Sequence, residues 1–427
     1  MGFQHGLSGL NVASANLDAI GNNIANANTV GFKQSTVEFS DVFANSLGGG
    51  GGNKIGIGTE VAAVKQQFSQ GNISTTNNPL DVAINGGGFF RMSNEGEVTY
   101  SRNGQFHIDN SGYIVNSQNL NLMGYLPDAA GKILQTEPAN LQLSTADINP
   151  KITSKFSAGF NLDSRTVSPA VLPVFDATDP NTYTSSTSGS IFDSLGNSHV
   201  MTLYFQKTPT SGTWNAYATV DGASSATGVP IGVDLGSGIG LPQSIIFDSN
   251  GILTTPAAPL TTTISLDLIA TDLGTANNAS TPLVFSMDLS KATQFGGSFG
   301  VNSLSQDGFA SGRLAGFSVG GNGMISGSYT NGETRNLGQI VLANFSNPQG
   351  LIPRGNGGWS ESSASGTALV GVPSTGPLGA LQASAVEDSN VDLTAQLVNM
   401  ITAQRVYQAN AKTIETQDAV LQTLIQL

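Results

Sequence analysis

The sequence predicts a mainly β protein with long α-helical termini, and three observations carry that fold class. No Gly or Pro occurs from Ala380 to Leu427, in a chain that holds 53 glycines. From Phe3 onward the apolar residues recur at spacings of three and four, the period of one helix face. Between these ends the pattern changes to short alternating runs set off by Asn-Gly and Asx turns, the signature of antiparallel strands.

At the N-terminus, Phe3, Leu7, Leu10, Leu17 and Ile24 keep the helical spacing, interrupted at Ser14 and Gly21. The stretch NNIANANTVGFK, residues 22–33, then crowds in Asn22, Asn23, Asn26 and Asn28. Asparagine favours caps and turns over helix interiors, so the helix is expected to end here. The asparagine amides can satisfy freed backbone groups and reach neutral partners on neighbouring molecules. Gly31 permits a backbone turn and Phe32 can anchor the next segment. The stretch is thus expected to be a joint between a helix and a β body.

GGGGGNK, residues 48–54, reads as a flexible link. LDVAINGGGFFRM (80–92) and VTYSRNGQFHIDNSGYIV (98–115) read as short strands, with hairpin turns at Asn103-Gly104 and at Asn110-Ser111-Gly112. His107 is expected on the face opposite Phe106 and Ile108. A second β block spans 325–345, with its turn at Asn331-Gly332. Between them, from about 150 to 300, the chain is rich in Thr, Ser and Pro. HVMTLYFQK and TWNAYATV read there as strands, the first preceded by the turn DSLGN (193–197).

The C-terminal run predicts a helix from about 390 to 427, roughly 55 Å long at 1.5 Å per residue. Ser389 and Asp392 form an expected capping box. Leu393, Leu397, Met400, Tyr407, Ala411, Ile414, Leu421 and Ile425 fall on one heptad seam, with Gln404 and Asp418 as polar exceptions. The expected organisation is nested and discontinuous. Residues 1–30 and 385–427 form an inner domain of paired, coiled-coil-like helices, and 31–70 with 370–384 form a linker region. Residues 71–149 and 302–369 make a first β domain, and 150–301 an inserted outer β domain.

Charged residues are only 11% of the chain, so its surface is largely neutral and polar. A net charge of −13 argues against nucleic acid and against an anionic membrane surface. The absence of cysteine excludes disulfides, thiolate metal sites and a cysteine nucleophile. No run approaches the apolar length that spans a bilayer, and the N-terminus lacks the pattern of a cleaved secretory signal.

No catalytic pattern in the chain is complete. GxSxG occurs at Gly296–Gly300 and Gly316–Gly320, yet no histidine follows either, since His5, His107 and His199 all precede them. GGGGGNK lacks the Lys-Ser/Thr of a phosphate loop. IDNSG and FDSNG lack the bidentate glutamate of a calcium loop and read as Asx turns. No catalytic, cofactor or metal residue is assigned.

SGLNVASANLDAIGNNIANANTVGFKQS (8–35) resembles the N-terminal signature of the bacterial flagellar rod and hook protein family. LDVAINGGGFF with YSRNGQFHIDNSGYIVN and LMGY resembles the family's first β segment. VEDSNVDLTAQLVNMITAQRVYQANAKTI (386–414) resembles its C-terminal helix. The central insertion, with IFDSLGNSHVMTLYFQK and TWNAYATVDG, is similar to the outer domain of the family's hook members. SGRLAGFSVGGNGMISGSYTNGETRNLGQIVLANFSNPQGL (311–351) is similar to their return segment.

The resemblance implies a non-enzymatic structural subunit that polymerises into a curved helical tube, a universal joint between motor and filament. A distal rod or hook–filament junction protein is the alternative. The implied partners are other copies of the chain, rod, hook-cap and junction proteins, and the flagellar type III export apparatus. The implied place is the extracellular flagellum. The seam residues are the expected assembly interface.

Overall fold

The computed structural model describes residues 2–42, 56–128, 131–144, 146–168, 172–225, 228–273 and 278–425. The expected glycine link at 48–54 lies outside these residues. The chain is mainly β, with helices α1 (Gly2–Ala25) and α3 (Leu393–Ile425) at its ends and the short helix α2 (Leu266–Leu273) within. It forms two compact units. One comprises residues 1–145, 315–328 and 334–427, and the other 146–314 and 329–333.

In the first unit, α1 ends at Ala25, where the asparagine-rich stretch takes over. α3 starts at Leu393 because Asp392 caps it: Oδ1 accepts from the Thr394 and Ala395 amides at 2.8 and 3.1 Å. Ser389 is not the cap; its hydroxyl accepts from the Val391 amide at 3.3 Å. The strands Ser35–Val42 and Gly58–Gln66 form a two-stranded ribbon against α1.

The rest of the unit is built on one large antiparallel sheet. Its central strands Asn121–Tyr125, Phe89–Asn94, Glu97–Ser101 and Gly358–Ser360 are paired in that order. Phe90, Met92, Ile114, Leu122, Ile340 and Leu342 form its core. Phe89, Tyr100, Phe345 and Trp359 form a second, aromatic cluster. The late strands Ala380–Ala383 and Ala385–Glu387 pair with the early strands Val82–Asn85 and Ile73–Thr75.

Asn103-Gly104 is not a hairpin turn. Glu97–Ser101 pairs with Phe89–Asn94, whereas Phe106–Ile108 pairs with Ile114–Asn116. Gly104 answers a different need: a Cβ there would lie 1.7 Å from the Val82 carbonyl oxygen. The Asp109–Gly112 turn does form. Asp109 Oδ1 accepts from the Ser111 and Tyr113 amides, and Gly112 takes a φ of +84°. Phe106 is buried and His107 exposed on the other face, as the alternation requires.

The second unit packs two sheets on a shared core of Phe156, Phe160, Leu203, Phe205, Trp214, Ile245 and Phe285. One sheet contains Lys155–Asp163, Leu260–Ile264 and Leu283–Asp288; the other contains Ser185–Phe192, Ser198–Lys207 and Thr213–Val220. The unit is not wholly β. In α2, Leu266 and Ile269 stand three residues apart and both enter the core, a helical spacing inside a strand-rich region. The first GxSxG stretch joins the strands Thr293–Phe295 and Gly300–Gln306, and the second overlaps the strand Leu314–Val319. Neither makes the strand-to-helix turn that a nucleophile elbow needs.

Candidate assembly interface and joint

The terminal helices touch, but most of the expected seam residues stay exposed or half-buried. On α1, Phe3 and Leu7 are 47% and 45% exposed, and Leu10, Leu17 and Ile24 are half-buried. On α3, Leu393, Leu397, Tyr407 and Leu421 are exposed, and Met400 and Ile414 are half-buried. The side chain of Ile425 lies outside the described residues.

Among the described residues the buried positions of α1 are instead Gly6, Ala13, Ile20 and Asn23, and those of α3 are Gln396 and Ala403. A Cβ on Gly6 would stand 2.8 Å from Ile414 Cγ1, and one on Gly9 would stand 2.6 Å from Asn410 Oδ1. Ile414 is thus the expected seam residue that meets α1. The helices and the ribbon enclose a cleft of about 350 Å³ lined by Ala13, Asn16, Ile20, Val37, Asn399 and Ala403. Apart from Ile20, the buried helix positions here are small or polar, which is why apolar spacing misses this face. The glycine and alanine spacing at 6, 9 and 13 is the signal that could have found it.

The residues of the expected joint differ in their surroundings. Asn23 is 1% exposed and acts as a strand partner for Ser35: its Nδ2 donates to the Ser35 carbonyl and its Oδ1 accepts from the Ser35 amide, both at 2.8 Å. Asn26 Nδ2 donates to the Asn22 carbonyl at 3.0 Å, and Asn26 Oδ1 accepts from the Thr29 hydroxyl at 3.2 Å. Asn22 and Asn28 are exposed, and Phe32 is half-buried. Gly31 has a φ of +73°, and a Cβ on it would stand 2.6 Å from the Asn103 amide nitrogen. Only glycine meets both demands.

Sequence reasoning missed the charged centre beside this stretch. Lys33 Nζ donates to Glu387 Oε1 at 2.6 Å and to the Ser69 carbonyl at 2.7 Å. Arg102 Nη1 reaches Glu387 Oε2 at 3.2 Å, Nη2 donates to the Gly86 carbonyl at 2.9 Å, and the guanidinium lies over the Phe89 ring. The Gly71 amide also donates to Glu387 Oε1, at 2.9 Å. The side chains of Lys33, Glu387 and Arg102 are 0%, 0% and 4% exposed.

Burial holds the Lys33 ammonium below its ordinary pKa although the Glu387 carboxylate opposes the shift. Burial lowers Arg102 likewise, again against Glu387. Nearby, Asn390 accepts from the Gln34 amide at 2.8 Å and donates to the Gln67 carbonyl at 2.7 Å. The roots of both helices and the start of the β body therefore meet around Glu387.

His199 lies between carboxylates. Its Nδ1 is 2.6 Å from Asp221 Oδ2 and its Nε2 3.4 Å from Asp193 Oδ2. Asp193 also accepts from the Leu195 and Asn197 amides, so the group closes the DSLGN turn. No group of three or more His, Asp or Glu among the described residues is arranged to hold a metal ion. No described helix is long and apolar enough to cross a membrane.

Four family descriptions match the chain in order. These are "Flagella basal body rod protein" at residues 3–33 and "Flagellar hook protein FlgE/F/G D1 domain" at 83–155. "Flagellar basal body protein FlaE D2 domain" follows at 161–309 and "Flagellar basal body rod FlgEFG protein C-terminal" at 382–427. Flagellar hook protein FlgE of Escherichia coli is 40% identical over 432 residues, covering 100% of both chains. The Treponema pallidum protein of the same name is 32% identical over 457 residues, covering 99% of this chain and 98% of its own. The crystal structure of Helicobacter pylori flagellar hook protein FlgE2 superposes with a TM-score of 0.51 at 14% identity, covering 72% of this chain and 99% of that one. That likeness speaks to the fold, whereas the full-length identities reach both terminal helices, the joint and everything between, and on them the chain belongs to the flagellar hook protein FlgE family.

Proposed function

We propose that this protein is the structural subunit of the bacterial flagellar hook, polymerising into a curved helical tube that transmits torque as a universal joint. One observation carries the reading. Phe3 and Leu7 of α1 and Leu393, Leu397, Tyr407 and Leu421 of α3 are exposed in the single chain, while α1 approaches α3 closely at Gly6 and Gly9, against Ile414 and Asn410. Large apolar side chains left in water on two terminal helices favour burial between molecules. A repeated head-to-tail contact that does not close on itself builds an open helix.

On this reading the two terminal helices pair in coiled-coil fashion, and Phe3, Leu7, Leu10, Leu17, Ile24, Leu393, Leu397, Met400, Tyr407, Ile414, Leu421 and Ile425 supply the assembly interface, with Ile414 also meeting α1 of its own chain. The inner helical domain comprises 1–30 and 385–427, the linker region 31–70 and 370–384, the first β domain 71–149 and 302–369, and the outer domain 150–301. Rod, hook-cap and junction proteins adjoin the tube, and the flagellar type III apparatus exports the subunit.

Electron microscopy of the polymer formed by the purified chain tests the proposal. Short, hollow, curved tubes are expected. Straight tubes would move the assignment to a rod protein, and a closed small oligomer would overturn it.

A further inference from the structure

An asparagine carboxamide can be attacked by the backbone nitrogen of the next residue, and glycine, with no Cβ, obstructs that approach least. The chain has six such pairs: Asn85-Gly86, Asn103-Gly104, Asn250-Gly251, Asn322-Gly323, Asn331-Gly332 and Asn356-Gly357. Attack requires an unbonded carboxamide, an unbonded glycine N–H, room to rotate and access for water. Five of the pairs are tied down. Asn85 Oδ1 accepts from Gln70 Nε2 at 3.4 Å, and the Gly86 amide donates to Gln70 Oε1 at 3.0 Å. Asn103 Oδ1 accepts from the Gln105 amide at 3.0 Å, and Gly104 is buried against the Val82 carbonyl. Asn250 Nδ2 donates to Asp248 Oδ2 at 3.4 Å, and the Gly251 amide donates to the Asp248 carbonyl at 3.0 Å. Asn322 Oδ1 accepts from the Met324 amide at 3.2 Å, and the Gly323 amide donates to the Gly320 carbonyl at 2.9 Å. Asn331 Nδ2 donates to the Ala310 carbonyl at 2.8 Å, its Oδ1 accepts from the Glu333 amide at 3.0 Å, and the Gly332 amide donates to the Tyr329 carbonyl at 2.9 Å.

Asn356-Gly357 is the exception. It forms the tip of the hairpin between Ile352–Gly355 and Gly358–Ser360, with φ of +53° and +69° at its two residues. Asn356 is exposed, and a Cβ on Gly357 would meet nothing within 4 Å. The bonds at the tip go to carbonyl oxygens: Gln118 Nε2 donates to that of Asn356 at 3.3 Å, and the Ser101 hydroxyl to that of Gly357 at 3.1 Å. Among the described residues neither the Asn356 carboxamide nor the Gly357 N–H makes a hydrogen bond.

We propose that Asn356 is a hydrolytic modification site, the Asn-Gly position at which the folded chain deamidates first. The Gly357 nitrogen attacks Asn356 Cγ and forms a new C–N bond. The side-chain nitrogen leaves as ammonia, taking up the proton that the Gly357 N–H gives up, and a five-membered succinimide remains. Water then opens one of the two ring C–N bonds, leaving aspartate or isoaspartate at position 356. Both products add a negative charge to a chain in which charged residues are only 11%. The isoaspartate also inserts one methylene into the backbone at the tip. Asn356 and Gly357 border the same groove as Asn22 and Asn26, so the new carboxylate arises beside the joint.

Timed incubation of the purified full chain in mildly alkaline buffer, followed by peptide mass spectrometry, tests the assignment. Fragmentation that distinguishes aspartate from isoaspartate reads all six positions in one sample. At Asn250, Asn322 and Asn331 at least two hydrogen bonds must break before attack, so Asn356 is expected to convert roughly ten-fold faster than these. The same incubation in concentrated urea removes the fold, and there the six positions should convert at similar rates, because each is followed by glycine. Any other Asn-Gly pair converting first in the folded chain would overturn the assignment. An equal lead for Asn356 in urea would also overturn it, since the lead would then come from local sequence and not from the open tip.

Discussion

Glu387 holds two buried cations and a backbone amide on one carboxylate, so the joint is most sensitive there. Glu387→Gln leaves Lys33 and Arg102 buried without a counter-charge, and a cost of about 3–5 kcal/mol is expected in urea unfolding. Lys33→Met leaves the Arg102–Glu387 pair balanced and should cost clearly less. The pH dependence has a definite sign. Because burial lowers the Lys33 pKa in the folded state, the unfolded chain binds more protons just below the ordinary lysine value of 10.5. Wild type should therefore gain stability relative to Lys33→Met as pH rises through that window, and a falling difference would contradict the burial argument. Asn23→Ala strips both Ser35 backbone groups of their partner, with an expected loss of about 1–3 kcal/mol. Asn28→Ala, at an exposed position, should lie within about 0.5 kcal/mol of wild type.

On the proposed reading each terminal helix presents two faces with different tasks. Leu397→Gln with Leu421→Gln alters side chains that are each 51% exposed, so monomer stability should shift by no more than about 0.5 kcal/mol. Sedimentation of polymer should nonetheless fall severely. Gly9→Val does the reverse: its side chain would strike Asn410, so the α1–α3 contact should loosen in the monomer, seen as faster amide exchange along α1.

In the second unit, Asp307 fastens the start of the strand Lys155–Asp163. Burial raises its pKa, but bonds from the Ser154 hydroxyl, Lys151 and the Lys155 and Ser154 amides outweigh burial and hold it well below the carboxylate range. Its stabilisation is present above the ordinary carboxylate pKa and is lost as pH falls through the depressed folded value. The stability gap between wild type and Asp307→Asn should therefore narrow on acidification, and a constant gap would exclude this role.

At the scale of the whole molecule, a surface poor in charge and rich in Ser, Thr, Asn and Gly suits contacts that exchange with water while a tube flexes. If assembly belongs to the terminal helices, removing residues 150–301 should leave tubes that form but curve differently in electron micrographs. Complete loss of polymer would assign assembly to the outer domain as well.

The sequence by itself determined the features encoded locally. Helical spacing and the Gly/Pro-free run placed α1 and α3, and Asx chemistry placed the turns at Asp109–Gly112 and Asp193–Asn197. The run of asparagines marked the end of α1. Asn103-Gly104 was misleading because the same dipeptide serves a tight turn or a close backbone approach, and only the neighbouring Val82 strand distinguishes them.

The contacts that join distant segments belong to the tertiary structure. Lys33 and Glu387 are 354 residues apart, and nothing local marks either as buried, because the cost of burying their charges is offset only when the chain brings them together. The face on which α1 meets α3 was equally hidden. Glycine and alanine carry little hydropathy, and their value there is the close approach they allow, which exists only once a second helix is present.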